Sequence, residues 1–103
     1  MKKMFRVNED GVAEWVVAEN KQQAIKFCQQ IWGENCIKEA FKEYLQDVPG
    51  STFENFVDYY VQEENPKNKF TFHHDNGEQI TKTINEFLND VREVPSYFAC
   101  QDY

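Results

Sequence analysis

The sequence predicts an α+β fold: a small antiparallel or mixed sheet, built from an N-terminal hairpin and later strands, with three to four helices packed on it. Three observations carry that reading. Two short aromatic and β-branched stretches flank an Asp-Gly dipeptide near the start. Three later segments repeat apolar residues at helical spacing behind capping residues, and strand-like stretches return toward the C-terminus. At 103 residues the chain has room for one domain, expected to span 1–103.

Lys3 to Val7 and Ala13 to Glu19 are strand material, and Asn8-Glu9-Asp10-Gly11 between them is the turn of a hairpin. In the second strand Ala13, Trp15 and Val17 point one way and Val16 and Ala18 the other, so apolar residues on both faces predict a central strand. Asn20 is an N-cap with Gln23 three residues on, and Ala24, Ile25, Cys28 and Trp32 then recur at helical spacing up to Gly33. A second helix is predicted from near Asn35 through Ile37, Ala40, Phe41, Tyr44 and Val48, with Pro49-Gly50 as its stop.

Phe53, Phe56, Val57 and Tyr60 continue the helical spacing behind Ser51-Thr52-Phe53-Glu54, a capping-box pattern, although Val57 to Val61 has the composition of a strand. Residues 52–64 are therefore read as helix, with strand as the alternative. Asn65 to Asn68 is a loop, Lys69 to His74 a strand with Phe70 and Phe72 on one face, and Asp75-Asn76-Gly77 a turn. Thr81 or Thr83 caps a last helix carrying Ile84, Phe87, Leu88 and Val91, Val94-Pro95 ends it, and Ser96 to Cys100 is a final strand.

Eighteen acidic against eleven basic residues give a formal charge of −7. That balance disfavours unaided binding to DNA, RNA or anionic lipid, which needs clustered positive charge. No apolar run long enough for a membrane span or a signal-peptide core is present, so a cytoplasmic location is expected. The odd set Cys28, Cys36 and Cys100 suits reduced thiols, with Cys28 on the apolar helix face as a small hydrophobe.

His73-His74-Asp75 is the compact cluster of metal-ligand types, but adjacent strand residues face opposite sides, so no metal site is assigned. The two histidines are adjacent, no nucleophile motif stands in the chain, and the four glycines are isolated rather than arranged as a phosphate cradle. A non-enzymatic protein without a cofactor is the expectation.

The acidic residues carry the more informative pattern. Glu39, Glu43 and Asp47 are successive i, i+4 positions of the second helix, which makes a carboxylate ridge with a repeat of about 6 Å. That repeat resembles the phosphate spacing along a nucleic-acid strand. Glu54 and Asp58 repeat it in the next helix, as Glu86 and Asp90 do in the last, and Tyr59 faces outward as a candidate aromatic anchor. The plainer alternative is a solvated face blunted by Lys38 and Lys42.

Met4-Phe5-Arg6-Val7, and Glu14-Trp15-Val16-Val17-Ala18-Glu19 running into a capped helix, resemble the start of small uncharacterised proteins of phages and mobile elements. Asp75 to Thr81, leading toward a helix, and the closing Pro95 to Tyr103 are similar to the ends of such proteins. The resemblance implies an anti-defence context of the anti-CRISPR kind. The expected function is then a phage-encoded inhibitor that occupies the basic nucleic-acid-binding site of a host defence protein, such as a CRISPR effector. Glu39, Glu43, Asp47, Glu54 and Asp58 would supply the charge and Tyr59 the anchor. The alternatives are an oligomeric sponge for a signalling nucleotide, using Arg6, Lys69, Lys82 or Arg92, and a self-associating structural or regulatory phage protein.

Overall fold

A computed structural model describes residues 1–9, 12–74 and 76–100. The Asp10-Gly11 and Asp75 positions of the two expected turns, and the last three residues of the chain, lie outside the described residues. The fold is α+β. The elements are β1 (Lys3–Glu9), β2 (Val12–Ala18), α1 (Lys21–Trp32), α2 (Glu34–Asp47), α3 (Phe53–Tyr60), β3 (Val61–Glu63), β4 (Lys69–His73), β5 (Gln79–Thr83), α4 (Ile84–Asp90) and β6 (Ser96–Cys100).

The strands form two antiparallel sheets. One has the order β3-β1-β2-β6, and the other is the β4-β5 hairpin. The predicted central position of β2 holds, because it pairs with β1 on one side and β6 on the other. Strand alternation then divides the apolar residues between two faces. Phe5, Val7, Val16 and Ala18 face α1, α2 and α3, while Met4 and Val17 face Ile84 and Leu88 of α4 and the rings of Trp15, Phe70 and Phe98.

Helix starts follow local chemistry. Asn20 Oδ1 accepts from the Gln23 N–H at 2.8 Å, and Gln23 Oε1 accepts from the Glu19 N–H at 2.7 Å. Gly33, at φ +93°, lets the chain turn from α1 into α2, a backbone state that a side chain would strain. Thr52 rather than Ser51 caps α3, accepting from the Asn55 N–H at 3.1 Å.

Two strands depart from the sequence expectation. The 52–64 segment divides: the helical face is complete at Tyr60, and Val61 to Glu63 pair with β1 at the edge of the sheet. Gln79 to Thr83, read as a lead into the last helix, instead form β5 opposite β4, with Ile80 turned inward and Gln79 and Thr81 outward.

The helix after β5 starts at Thr83, whose hydroxyl accepts from the Glu86 N–H at 3.2 Å while Glu86 Oε1 accepts from the Thr83 N–H at 3.2 Å. Thr83→Ala should therefore cost about 1 kcal/mol, read from thermal or urea unfolding. The backbone hydrogen bond from Thr83, followed by its hydroxyl, holds the Glu86 carboxyl below its ordinary value of 4.5. A carboxylate depressed in the folded state contributes stability above its unfolded pKa and loses it as pH falls through the lowered value. The difference between wild type and Thr83→Ala should accordingly be full at pH 6 and shrink below about pH 4.5.

Candidate functional site

α2 is only partly covered by its neighbours. Ile37 is its buried residue, Ala40, Phe41 and Tyr44 are half-buried, and Glu39, Glu43 and Asp47 are exposed. α3 packs along it through rings: Phe56 lies 5.3 Å from Phe41 and 5.7 Å from Tyr44, and Phe53 lies 5.2 Å from Phe41. The two helices leave an open groove of about 710 Å³.

Its character follows from the α2 period. Cys36, Ala40 and Tyr44 line the groove beside Glu39, Glu43 and Asp47, and α3 contributes Phe56, Tyr59 and Tyr60. Tyr59, 57 % exposed, stacks on Tyr44 with ring centroids 5.1 Å apart and 30° between planes. The result is a concave surface with three carboxylates, two stacked phenols and a buried aromatic base. No lysine or arginine is among the described residues that line it.

Of the residues singled out from the sequence, four come together here: Glu39, Glu43, Asp47 and Tyr59. Two do not. Asp58 turns toward α1, where its Oδ1 lies 3.3 Å from Lys21 Nζ, and Glu54 sits exposed in the first turn of α3, where a carboxylate suits the positive end of the helix dipole. Continuing the i, i+4 repeat from α2 into α3 does not carry the ridge onward, because Asp58 turns to Lys21 and neither it nor Glu54 lines the groove.

The three groove carboxylates have no cationic partner among the described residues; the ion pairs there join Lys3 to Glu63, Lys21 to Asp58 and Lys82 to Asp90. Their placement is also unfavourable for the helix. Asp47 stands in the last turn of α2, which has no basic residue, so its charge adds to the negative end of the helix dipole. Like charges at i, i+4 add about 0.2–0.5 kcal/mol of repulsion per pair.

Of the cations considered for an anionic ligand, Lys69 and Lys82 stand near each other on β4 and β5, both close to Glu86, while Arg6 lies on β1 of the other sheet. Arg6 Nη2 donates to Gln62 Oε1 at 3.0 Å, and Lys82 Nζ lies 3.4 Å from Asp90 and 5.7 Å from the Phe87 ring centroid. Cys28 is buried in the core, Cys36 half-buried and Cys100 exposed. His73 and His74 are both exposed, and among the described residues no three His, Cys, Asp or Glu side chains stand close enough to hold a metal ion. No helix of the described residues is long and apolar enough to cross a membrane.

Tyr44 is one of the groove residues, with Ala40, Phe56 and Tyr60, that the apolar spacing assigns to the core. Its place in the apolar repeat marked it for the core, and its phenol was the one signal of a second, wet side. Comparison with protein-family models, with curated proteins and with solved structures finds no match to the chain.

Proposed function

We propose that this chain is a non-enzymatic binding protein that docks the α2–α3 groove on a basic surface of another protein. The observation that carries the reading is the set of three carboxylates without cationic partners, held beside two stacked tyrosines in one groove. A lysine or arginine side chain entering there meets carboxylates at its charged end and ring faces along its stem. Glu39, Glu43 and Asp47 supply electrostatic complementarity, and Tyr59 is the exposed anchor.

The resemblance of the two ends of the chain to phage and mobile-element proteins supplies the partner class. A host defence protein with a basic nucleic-acid-binding site, met in the host cytoplasm, presents the cationic surface that such a groove complements. Glu54 and Asp58 are left out of this surface, because their positions give them structural partners or a helix-end role.

Retention from a bacterial lysate tests the reading, with the tagged wild-type chain run beside a Glu39→Gln/Glu43→Gln/Asp47→Asn variant. A basic protein should be held by the wild type at low salt, released at high salt and missing from the variant eluate. Identical retention by both chains would overturn the groove as the docking surface.

A further inference from the structure

Tyr59 is the exposed end of a layered set of rings. The buried Phe56 lies against Tyr44 with centroids 5.7 Å apart, and Tyr44 lies against one face of Tyr59 at 5.1 Å with 30° between the planes. Tyr44 is half-buried, and Phe56 is itself held by Phe41, Phe53 and Tyr60, so the stack is fixed from the core outward. Tyr59 stays 57 % exposed with one face covered, which leaves its second face open to solvent.

The carboxylates stand within a turn or two of that stack. Asp47 follows Tyr44 at i+3 on α2, Glu43 precedes Asp47 by one i, i+4 step and Glu39 precedes Glu43 by another. All three line the same groove as the two tyrosines. A side chain that enters the groove meets an open ring face and a carboxylate edge together.

We propose that the groove selects arginine over lysine in its partner, with the free face of the Tyr44–Tyr59 stack as the element that sets the preference. This rests on the reading of the groove as the docking surface for a basic protein, and names the side chain that the surface takes. Carboxylates alone separate the two cations poorly, since both are charged at neutral pH and either pairs with Glu39, Glu43 or Asp47. The free ring face separates them. A guanidinium is planar and weakly hydrated, so it lies flat on a tyrosine as the next layer of the stack while its edge donates two parallel hydrogen bonds to a carboxylate. The lysine ammonium is compact and strongly hydrated, and brings no plane to the ring. A nucleobase also stacks on tyrosine, but its phosphate would meet three carboxylates with no lysine or arginine among the described residues of the lining to offset them. The occupant is thus an arginine side chain carried by another protein.

Two twelve-residue peptides, identical except that one carries three arginines where the other carries three lysines, test the selectivity when titrated into the full chain at low salt. Wild type should bind the arginine peptide at least ~10-fold more tightly than the lysine peptide. Tyr59→Leu puts an aliphatic side chain over Tyr44 in place of the free ring and should bring that ratio below about 3-fold, whereas Tyr59→Phe should keep it. Tyr59 is exposed, so the fold tolerates both substitutions. Glu39→Gln/Glu43→Gln/Asp47→Asn should weaken both peptides. Equal affinity for the two peptides in wild type, each lost in the triple amide variant, would overturn the selectivity and leave the groove as a general cation-binding surface. A preference undiminished by Tyr59→Leu would overturn the role of the stack. Binding of neither peptide, or binding of both that the triple variant retains, would overturn the groove reading and the selectivity with it.

Discussion

Phe56→Ala is expected to destabilise the chain by about 3–5 kcal/mol, among the largest single-residue effects in this fold. Phe56 is 1 % exposed and lies within ring contact of Phe41, Tyr44, Phe53 and Tyr60, so it is the side chain that joins α3 to α2. Truncation removes the transfer free energy of the ring and leaves a cavity that two helices held by other contacts do not close. At roughly 4–8 °C per kcal/mol for a domain of this size, thermal unfolding resolves the loss easily. Phe53→Ala, at a ring 39 % exposed on the same helix, should cost only about 1 kcal/mol. Equal losses at the two positions would contradict the packing of α3.

Glu39→Gln/Glu43→Gln/Asp47→Asn is expected to do two opposite things. Partner binding should be lost, while the chain itself becomes more stable by about 1 kcal/mol at low salt. The gain has two sources. The amides abolish the like-charge pairs 39/43 and 43/47, and they remove an acidic side chain from the last turn of α2, where the helix dipole opposes it. Added salt should erase the gain, since the charges are exposed and screened. Asp58→Asn is the contrasting variant: it breaks the exposed pair with Lys21, should change stability by less than about 1 kcal/mol, and should leave the groove's binding intact. A stabilising change that removes binding is the signature of residues kept for function at a cost to the fold.

Much of the fold is legible in the sequence because local signals agree with the final packing. Asn20 with Gln23 marks the start of α1, the two-faced apolar pattern of β2 marks a central strand, and the Phe56, Val57, Tyr60 spacing marks α3. β3 falls within the segment where helix is favoured over strand, and β5 is not expected, for different reasons. Val61 to Glu63 is a three-residue edge strand whose partner, β1, lies more than fifty residues earlier, so the strand composition around Val61 does not by itself mark where helix gives way to strand. Gln79 to Thr83 does alternate, but its threonines are also helix caps, and that signal won over the strand period.

The candidate site divides along the same line. The i, i+4 carboxylates of α2 are visible as spacing, since one helix places them on one face whatever surrounds it. Whether α3 extends that face depends on how it crosses α1 and α2, which is a tertiary matter, and here it turns Asp58 toward Lys21. The stack of Tyr44 on Tyr59 arises between two consecutive helices and depends on how they cross. No residue spacing announces it.

Titration of the full chain with an arginine-rich peptide at low and moderate salt tests the groove most directly, with the Tyr44 and Tyr59 resonances as reporters and the triple amide variant alongside. Saturable binding that perturbs both tyrosines, weakens as salt rises and falls at least ~10-fold in the variant is the predicted result. Equal affinity in the two chains, or perturbations that bypass Tyr44 and Tyr59, would contradict it.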